Sequence, residues 1–245
     1  MSDGRPHNGY VLEASPLVKT PILSLGAVTR DRTTIQLHIA QHDITNSGLV
    51  LNALPRTISN RDASRFPLVL MLDEVLDPGN LGSILRTAYY LGCSALLVGQ
   101  RNCAPLSPAC LKSSAGASEH LPLLTHTVPP RLIDASRAAG WRFFAAMPEP
   151  APNHKRRAGG RPRSHTHSHP LALESDEVRD ALRTAPTVLV MGGESDGLRR
   201  AVEAACDRLV TIRRAPDVED GVDSLNVSVA TGLLCQAFLG RQPLP

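Results

Sequence analysis

The stretch Phe66–Gly92, FPLVLMLDEVLDPGNLGSILRTAYYLG, decides the fold class of this 245-residue chain. It opens with an apolar run, Leu68–Leu72, typical of a strand that is buried on both faces. Pro78 and Gly79 then force a tight turn. Apolar residues at helical spacing follow at once, so a buried strand passes directly into a helix. This order predicts a parallel sheet covered by helices.

The rest of the chain repeats the same alternation. Further apolar segments of strand length are Ala95–Gly99, Trp141–Met147, Thr187–Gly193 and Arg208–Arg213. Helical patterns separate them, and strands that alternate with helices pair in parallel through right-handed crossovers. The predicted fold class is therefore α/β, with a mostly parallel sheet flanked by helices.

Two regions depart from this pattern. Residues 1–65 have weak periodicity and one alternating run, Thr33–Ala40, which predicts an edge strand or hairpin. We interpret residues 1–65 as an arm and residues 66–245 as the main domain. Within that domain, residues 149–176 include a stretch rich in Pro, Gly, His and Arg, which predicts a disordered insertion.

The insertion carries two groups of polar side chains. His165, His167 and His169 could ligate a metal, but a solvated tract is favoured because no rigid scaffold or acidic partner accompanies them. The basic run Lys155–Arg163 could contact RNA phosphates or could be only a charged loop, and the sequence leaves both open. We predict no metal site.

Composition narrows the functional classes. The longest purely apolar run has five residues, and no charged-then-apolar leader is visible at the N-terminus, so we expect no membrane association. Five cysteines without a CxxC pair disfavour a disulfide framework or a structural zinc site. A net charge of +3 is compatible with a polyanionic partner, whereas 3% aromatic residues disfavour a broad base-stacking platform.

Polar residues stand at the turn after the first strand. Asn80 has the chemistry of a helix cap, and a capped strand–helix junction would explain it completely. Arg86 is harder to explain, since on a helix that begins at Leu81 we expect it on or near the face that meets the sheet. A guanidinium in that position needs an anionic partner or ligand.

Two later segments have the same character. In VLVMGGESDGLRRAV (Val188–Val202), Gly192 and Gly193 at a strand end would let a ligand approach the backbone, although the pattern is neither GxGxxG nor a P-loop. Glu194 could act in catalysis or could simply accept N–H groups at a helix N-terminus. In DSLNVSVATGLLCQAF (Asp223–Phe238), Asp223 or Ser224 could cap the helix, or the polar groups could face a ligand pocket.

In order, DPGNLGSILRTA (residues 77–88), LVMGGESDGL (189–198) and DSLNVSVATG (223–232) resemble the three motifs of the SpoU-type branch of the SPOUT RNA methyltransferases. The segment RNCAPLSPACLKSSAGASEHLPL (101–123) resembles the mitochondrial large-subunit rRNA guanosine 2′-O-methyltransferases and their bacterial relatives. The resemblance implies methyl transfer from S-adenosylmethionine to a ribose 2′-hydroxyl, a deep C-terminal trefoil knot, and a homodimer with its site at the subunit interface.

The resemblance also nominates site residues. Those implied to contact S-adenosylmethionine are Gly192, Ile212 and Leu225. The implied catalytic set is Asn80, Arg86, Glu194, Ser224 and Asn226. Because arginine stays protonated in proteins, we expect Arg86 to act electrostatically rather than as a base.

Further expectations follow from the resemblance alone. The substrate would be a guanosine of mitochondrial large-subunit rRNA, and the chain would act in mitochondria. The segment RPHNGYVLEASPL (residues 5–17) is similar to the linker that follows this family's RNA-binding domain, so residues 1–65 would be the remnant of that connection. The alternatives are a non-catalytic, knotted RNA-binding or assembly protein and the same chemistry on tRNA. A nicotinamide dehydrogenase is disfavoured by the missing fingerprint.

Overall fold

Ten strands and six α-helices form the described part of the chain, which in this computed structural model comprises residues 9, 15–40, 54–149, 170–194, 197–215 and 224–240. The strands are β1 (Thr20–Val28), β2 (Thr34–Ile39), β3 (Thr57–Ser59), β4 (Leu68–Asp73), β5 (Ala95–Gly99), β6 (Leu123–His126), β7 (Arg142–Ala146), β8 (Leu171–Ala172), β9 (Thr187–Gly192) and β10 (Arg208–Thr211). The helices are α1 (Pro78–Leu91), α2 (Pro108–Ser114), α3 (Pro129–Arg137), α4 (Asp176–Thr184), α5 (Arg200–Ala205) and α6 (Val227–Leu239), with a 3₁₀ turn at Ala117–Glu119.

All ten strands belong to one sheet, in the order β3-β2-β1-β6-β5-β4-β9-β7-β10-β8. The pairs from β1 through to β8 are parallel, and the pairs β1–β2 and β2–β3 are antiparallel. The predicted α/β class with a mostly parallel sheet is confirmed. The strand β9 lies between β4 and β7, both of which precede it in the chain.

Sequence patterns missed five elements. The strands β1, β3 and β6 and the helix α4 were not predicted. The helix α4 is mostly polar, and only Val178, Ala181 and Leu182 of its residues are buried. The two-residue strand β8 pairs with Val210 and Thr211. Residues 150–169 of the predicted insertion, including its histidines and basic run, lie outside the described residues. The predicted C-terminal limit of the insertion, residue 176, is wrong. The strand β8 (Leu171–Ala172) lies within the predicted insertion, and α4 already begins at Asp176.

Each face of the sheet has its own core, because successive residues of a strand point to opposite faces. On β4, Leu68, Leu70 and Leu72 belong to one cluster, whereas Val69 and Met71 belong to the other. The first face is covered by α1, α4 and α6, and the second by α3 and α5. Burial on both faces explains why the central strands read as continuous apolar runs.

The N-terminal hairpin joins the second face. The predicted strand or hairpin at Thr33–Ala40 is β2, which pairs with β1. The indole N–H of Trp141 donates to the carbonyl of Gly26 over 2.8 Å, and the backbone N–H of Leu25 donates to Ser136 Oγ over 3.0 Å. Strands from residues 1–65 therefore extend the sheet of residues 66–245.

Two findings bear on the expectations from composition. Among the described helices, none combines the length and the apolar character needed to cross a membrane. The five cysteines are free thiols, and four of them are buried.

Gly82 allows α1 to pack closely on α2. A Cβ at this position would lie 1.8 Å from Ser113 Oγ and 2.4 Å from the carbonyl oxygen of Cys110. Since backbone cannot move aside cheaply, any side chain here would separate the two helices.

We predict that Gly82→Ala lowers the free energy of unfolding by about 1–3 kcal/mol, because the overpacked helices must shift. Gly232→Ala on α6 is the matched control, since its Cβ would meet only Thr87 Cγ2 at an ordinary 3.5 Å. The control should be neutral or stabilising by about 0.5–1 kcal/mol. Urea unfolding measures both, and a Gly82→Ala variant as stable as the control would contradict the packing described.

Candidate active site

The turn after β4 begins α1 earlier than the sequence predicts. Helix α1 starts at Pro78, not Leu81, and its N-cap is Asp77, whose Oδ1 accepts the backbone N–H of Asn80 over 2.7 Å. Proline suits the first helical position because its missing N–H would have had no partner there. The predicted cap at Asn80 is therefore wrong, and the Asn80 amide is left to make other contacts.

The cap of α6 also differs from the prediction. Asn226 Oδ1 accepts the backbone N–H groups of Ser228 over 2.9 Å and Val229 over 3.4 Å, so the helix begins at Val227. Ser224 is exposed and does not cap the helix. Asp223, the other predicted cap, lies outside the described residues.

Hydrogen bonds join all three motif segments in a polar cluster of Asn80, Glu194 and Asn226. Asn226 Nδ2 donates to Asn80 Oδ1 over 3.1 Å, and Asn80 Nδ2 donates to Glu194 Oε1 over 3.0 Å. The other carboxylate oxygen of Glu194 accepts the backbone N–H of Leu76 over 3.4 Å. Leu76 precedes α1, so Glu194 does not accept from a helix N-terminus.

The polar cluster keeps hydrogen-bonding capacity that no other described residue uses. An amide nitrogen carries two N–H groups, and Asn80 and Asn226 each use one of theirs within the cluster. The carboxylate of Glu194 has further lone pairs, and Glu194 and Asn226 are exposed. The cluster can therefore bind a ligand that offers hydroxyl groups, donating to its oxygens and accepting from its protons.

Arg86 does not belong to the polar cluster. The prediction that it lies on or near the sheet-facing side of α1 is wrong, because Arg86 is exposed while Leu81, Ile84, Leu85 and Ala88 are buried. Six residues beyond Asn80, it lies about 9 Å further along the helix axis. Within the described ranges, no hydrogen bond or ion pair involves its guanidinium.

An ion pair between a buried carboxylate and a partly exposed guanidinium joins the end of β4, just before the first motif segment, to the residue that follows the second. Asp73 ends β4 with its side chain fully buried, and its Oδ1 and Oδ2 accept Nε–H of Arg199 over 2.9 Å and the backbone N–H of Arg199 over 3.1 Å. Hydrogen bonding to Asp73 raises the pKa of Arg199. Sequence reasoning missed this pair, although a carboxylate at the end of a buried strand is a signal that a cation is needed.

The glycines at the end of β9 allow two turns of the backbone to pack closely. A Cβ on Gly192 would lie 2.3 Å from the carbonyl carbon of Gly197, and one on Gly193 would lie 2.3 Å from the carbonyl oxygen of Glu74. The space where a side chain would stand at these glycines is therefore filled by the protein's own backbone, and the predicted contact of Gly192 with a cofactor stays a prediction. Gly193 N–H also donates to Gly197 over 3.2 Å, which folds this turn back on itself.

The remaining predicted cofactor contacts are Ile212, just after β10, and Leu225, just before α6. Ile212 follows β10, is half-buried, and packs against the core cluster that includes Val227. Leu225 is adjacent to Asn226, and 47% of its surface is exposed. An exposed leucine beside exposed amide and hydroxyl groups suits a ligand with both an apolar and a polar part. Among the described residues, no group of three or more His, Cys, Asp or Glu side chains could hold a metal.

Comparison with known proteins gives the family. Residues 67–236 match the SpoU rRNA Methylase family. The chain belongs to this family. It is 34% identical over 242 residues to rRNA methyltransferase 1, mitochondrial, of Saccharomyces cerevisiae, covering 95% of this chain and 55% of the yeast protein. The chain thus spans about half the length of that relative.

Two further relatives extend the comparison. The chain is 35% identical over 177 residues to the 23S rRNA (guanosine-2′-O-)-methyltransferase RlmB of Pseudomonas putida, covering 72% of this chain and 60% of that protein. The crystal structure of AdoMet-bound rRNA methyltransferase from Sinorhizobium meliloti has a TM-score of 0.54 and 24% identity, covering 71% of this chain and 56% of that one. At this identity the solved structure establishes the shared fold.

Asn226 can be tested for its two roles separately. Asn226→Ala should lower the free energy of unfolding by about 1 kcal/mol because the cap of α6 is lost. Asn226→Asp keeps the capping oxygen, so its free energy of unfolding should stay close to that of the wild type. This variant loses only the N–H group that donates to Asn80. Thermal and urea unfolding compare the two. Equal destabilisation by both substitutions would show that the cap is not what Asn226 contributes to stability.

Proposed function

We propose that this chain transfers a methyl group from S-adenosylmethionine to the 2′-hydroxyl of a guanosine in mitochondrial large-subunit rRNA. The observation that carries the proposal is the polar cluster, in which one residue from each of the three motif segments is hydrogen-bonded to the next. The names of the yeast and Pseudomonas putida relatives support an rRNA substrate, a guanosine and a mitochondrial location.

The cofactor would be held at the start of α6. Leu225 and Ile212 would contact its apolar parts, and the turn at Gly192 would offer backbone groups. S-adenosylmethionine supplies a methyl group on a sulfonium centre, which is open to in-line attack by an oxygen. The solved Sinorhizobium meliloti neighbour contains AdoMet, which supports this choice for a shared fold.

The polar cluster would position the ribose. Its two unused N–H groups, on Asn80 and Asn226, can donate to ribose oxygens, and Glu194 can accept from a ribose hydroxyl. Glu194 and Asn226 hold the Asn80 amide from both sides. The unused N–H groups therefore keep one orientation while the oxygen of the ribose 2′-hydroxyl gains negative charge. Ser224, exposed beside Leu225, would provide a further hydroxyl at the same edge.

Arg86 would act from a neighbouring subunit. It is exposed on α1 together with Tyr90, which is 86% exposed, and α6 carries Val229 and Leu233, which are 51% and 44% exposed. We call these four residues the α1–α6 face. The helices α1 and α6 are close neighbours, since a Cβ on Gly232 would lie 3.5 Å from Thr87 Cγ2. Exposed apolar residues around a lone cation suit a homodimer interface, in which Arg86 stabilises charge in the partner's site.

The proposed architecture includes a knot. The strand β9 lies between two strands that precede it in the chain, and the glycine at its end permits close approach of the backbone of Gly197 and Leu198. These features support a C-terminal trefoil knot, a rare exception to unknotted topology. Residues 66–245 would form the catalytic domain, with β1, β2 and β3 extending its sheet, and the N-terminal segment before β1 would connect it to an RNA-binding domain.

Titration with S-adenosylmethionine tests the cofactor site. Wild-type protein should bind saturably in calorimetry, and Arg86→Ala should bind with similar affinity. Leu225→Arg should abolish binding, because it puts a charge and added bulk against the cofactor. The matched control is Leu23→Arg on β1, where the leucine is 59% exposed and remote from the motifs. No binding by folded, dimeric wild-type protein would favour a non-catalytic RNA-binding role.

Mixed dimers test the role of Arg86. Arg86→Ala and Glu194→Gln should each abolish methyl transfer to rRNA. If Arg86 acts across the interface, unfolding and refolding the two variants together should restore about a quarter of wild-type activity, because half the dimers contain both variants and each has one intact site. Each variant refolded alone is the control. No recovery in verified heterodimers would mean that Arg86 acts within its own subunit or not at all.

A further inference from the structure

A cavity of about 650 Å³ opens at the carboxyl ends of β4, β5 and β6, next to the polar cluster. Its polar lining includes Glu74, Gln100, Arg101, Asn102, His126 and Thr127. None of these residues belongs to the three motifs. The volume lies in the range of ligand sites, and open α/β sheets bind ligands at this edge.

His126 in this cavity lacks hydrogen-bond partners. It is the last residue of β6 and is only 3% exposed, yet neither ring nitrogen has a partner among the described residues. Burial lowers its pKa to about 4, so the ring is neutral and offers one donor and one acceptor. Buried polar atoms are normally satisfied, which makes a bound ligand the natural partner for this ring.

The rest of the cavity selects the kind of ligand. Asp73 is fully engaged by Arg199, and Glu74 Oε1 accepts from Asn102 Nδ2 over 3.0 Å and lies 3.5 Å from Arg199 NH1. Two carboxylates against the Arg199 guanidinium leave the floor with one net negative charge, while the second cation of the lining, Arg101, is exposed at the rim, so the floor itself disfavours a phosphate. Glu74 Oε2 makes no hydrogen bond to a described residue, so it can accept from a ligand that carries N–H groups.

The cavity and the polar cluster are separated only by the turn after β4. Glu74 lines the cavity, while the backbone N–H of Leu76, two residues later, contacts Glu194. Two residues of chain span at most about 7 Å, which is within the size of one nucleoside. A single nucleotide can therefore place its ribose at the polar cluster and its base in the cavity.

We propose that this cavity binds the guanine base of the nucleotide to be methylated, with Glu74 as the residue that selects guanine. The inference rests on the proposed function. The Watson–Crick edge of guanine carries adjacent N–H donors at N1 and N2, which match the two oxygens of a carboxylate. Adenine presents a lone pair at N1, which a carboxylate repels. Asn102 and the His126 ring are placed for the remaining polar atoms of the base, and Arg101 lies exposed at the rim.

Nucleotide titration of the full chain, followed through the histidine ring resonances by NMR, tests the inference. We expect GMP to shift the resonance of His126, which His126→Leu identifies by its absence. IMP, which keeps N1–H but lacks the 2-amino group, should bind more weakly, and AMP at least about tenfold more weakly than GMP. Glu74→Gln should remove the preference for GMP. The matched control, Glu177→Gln, alters a carboxylate paired with Arg208 at the amino end of β10 and should change nothing.

Stability and activity measurements separate the possible failures. His126→Leu should abolish GMP binding without lowering the melting temperature, since it removes a ring that lacks partners; marked destabilisation would indicate a structural role and overturn the inference. Equal shifts by GMP and AMP, or none at millimolar concentration, would also overturn it. S-adenosylmethionine binding and rRNA methylation measured in parallel would then show whether the proposed function still stands. If both of these are absent while GMP binds selectively, the cavity assignment holds and the proposed function is wrong.

Discussion

The buried carboxylate of Asp73 is the constraint on which the site depends. Asp73 ends the central strand β4 with its side chain buried. Arg199, which directly follows the second motif segment, supplies the opposite charge and the hydrogen-bond donors that this carboxylate needs. Leaving such a group without its cation would cost on the order of 3–5 kcal/mol, a large part of a domain's stability. The pair therefore fixes the turn after β9 against the turn after β4. That arrangement brings Glu194 within reach of Asn80, and the glycines at 192 and 193 are what allow the two turns to approach so closely.

The polar cluster shows how one side chain can serve folding and function together. Asn226 uses its oxygen to cap α6 and its nitrogen to hold Asn80. Asp77 caps α1 and so releases Asn80 from that role. Because the donors are fixed at helix termini anchored in the first-face core, the cluster keeps its geometry without a ligand, which is the preorganisation that a positioned reaction requires.

The sequence predicts the sheet better than it predicts the site. Apolar runs such as Leu68–Leu72 reveal buried parallel strands directly, because burial on both faces leaves a strong one-dimensional signal. Short or polar elements such as β6 and α4 leave little signal. The caps at Asp77 and Asn226 were misassigned because Asp, Asn and Ser have similar capping preferences, and only backbone geometry distinguishes them. The exposure of Arg86 could not be predicted, because it depends on where α1 begins and on which side of that helix meets the sheet. The pairing of Asp73 with Arg199 could not be predicted either, because these residues are 126 positions apart in the chain.

The single tryptophan of the chain is placed as a reporter of one face of the sheet. Trp141 is 1% exposed, belongs to the second-face core, and is hydrogen-bonded to the N-terminal hairpin through Gly26. Its fluorescence emission should be blue-shifted while the hairpin is docked and should move to longer wavelength when the hairpin detaches. The first face, with α1 and α6, contains no tryptophan, so fluorescence and circular dichroism would follow different parts of the molecule. Unfolding curves from the two probes that fail to coincide would reveal a hairpin that separates before the helices of the site melt.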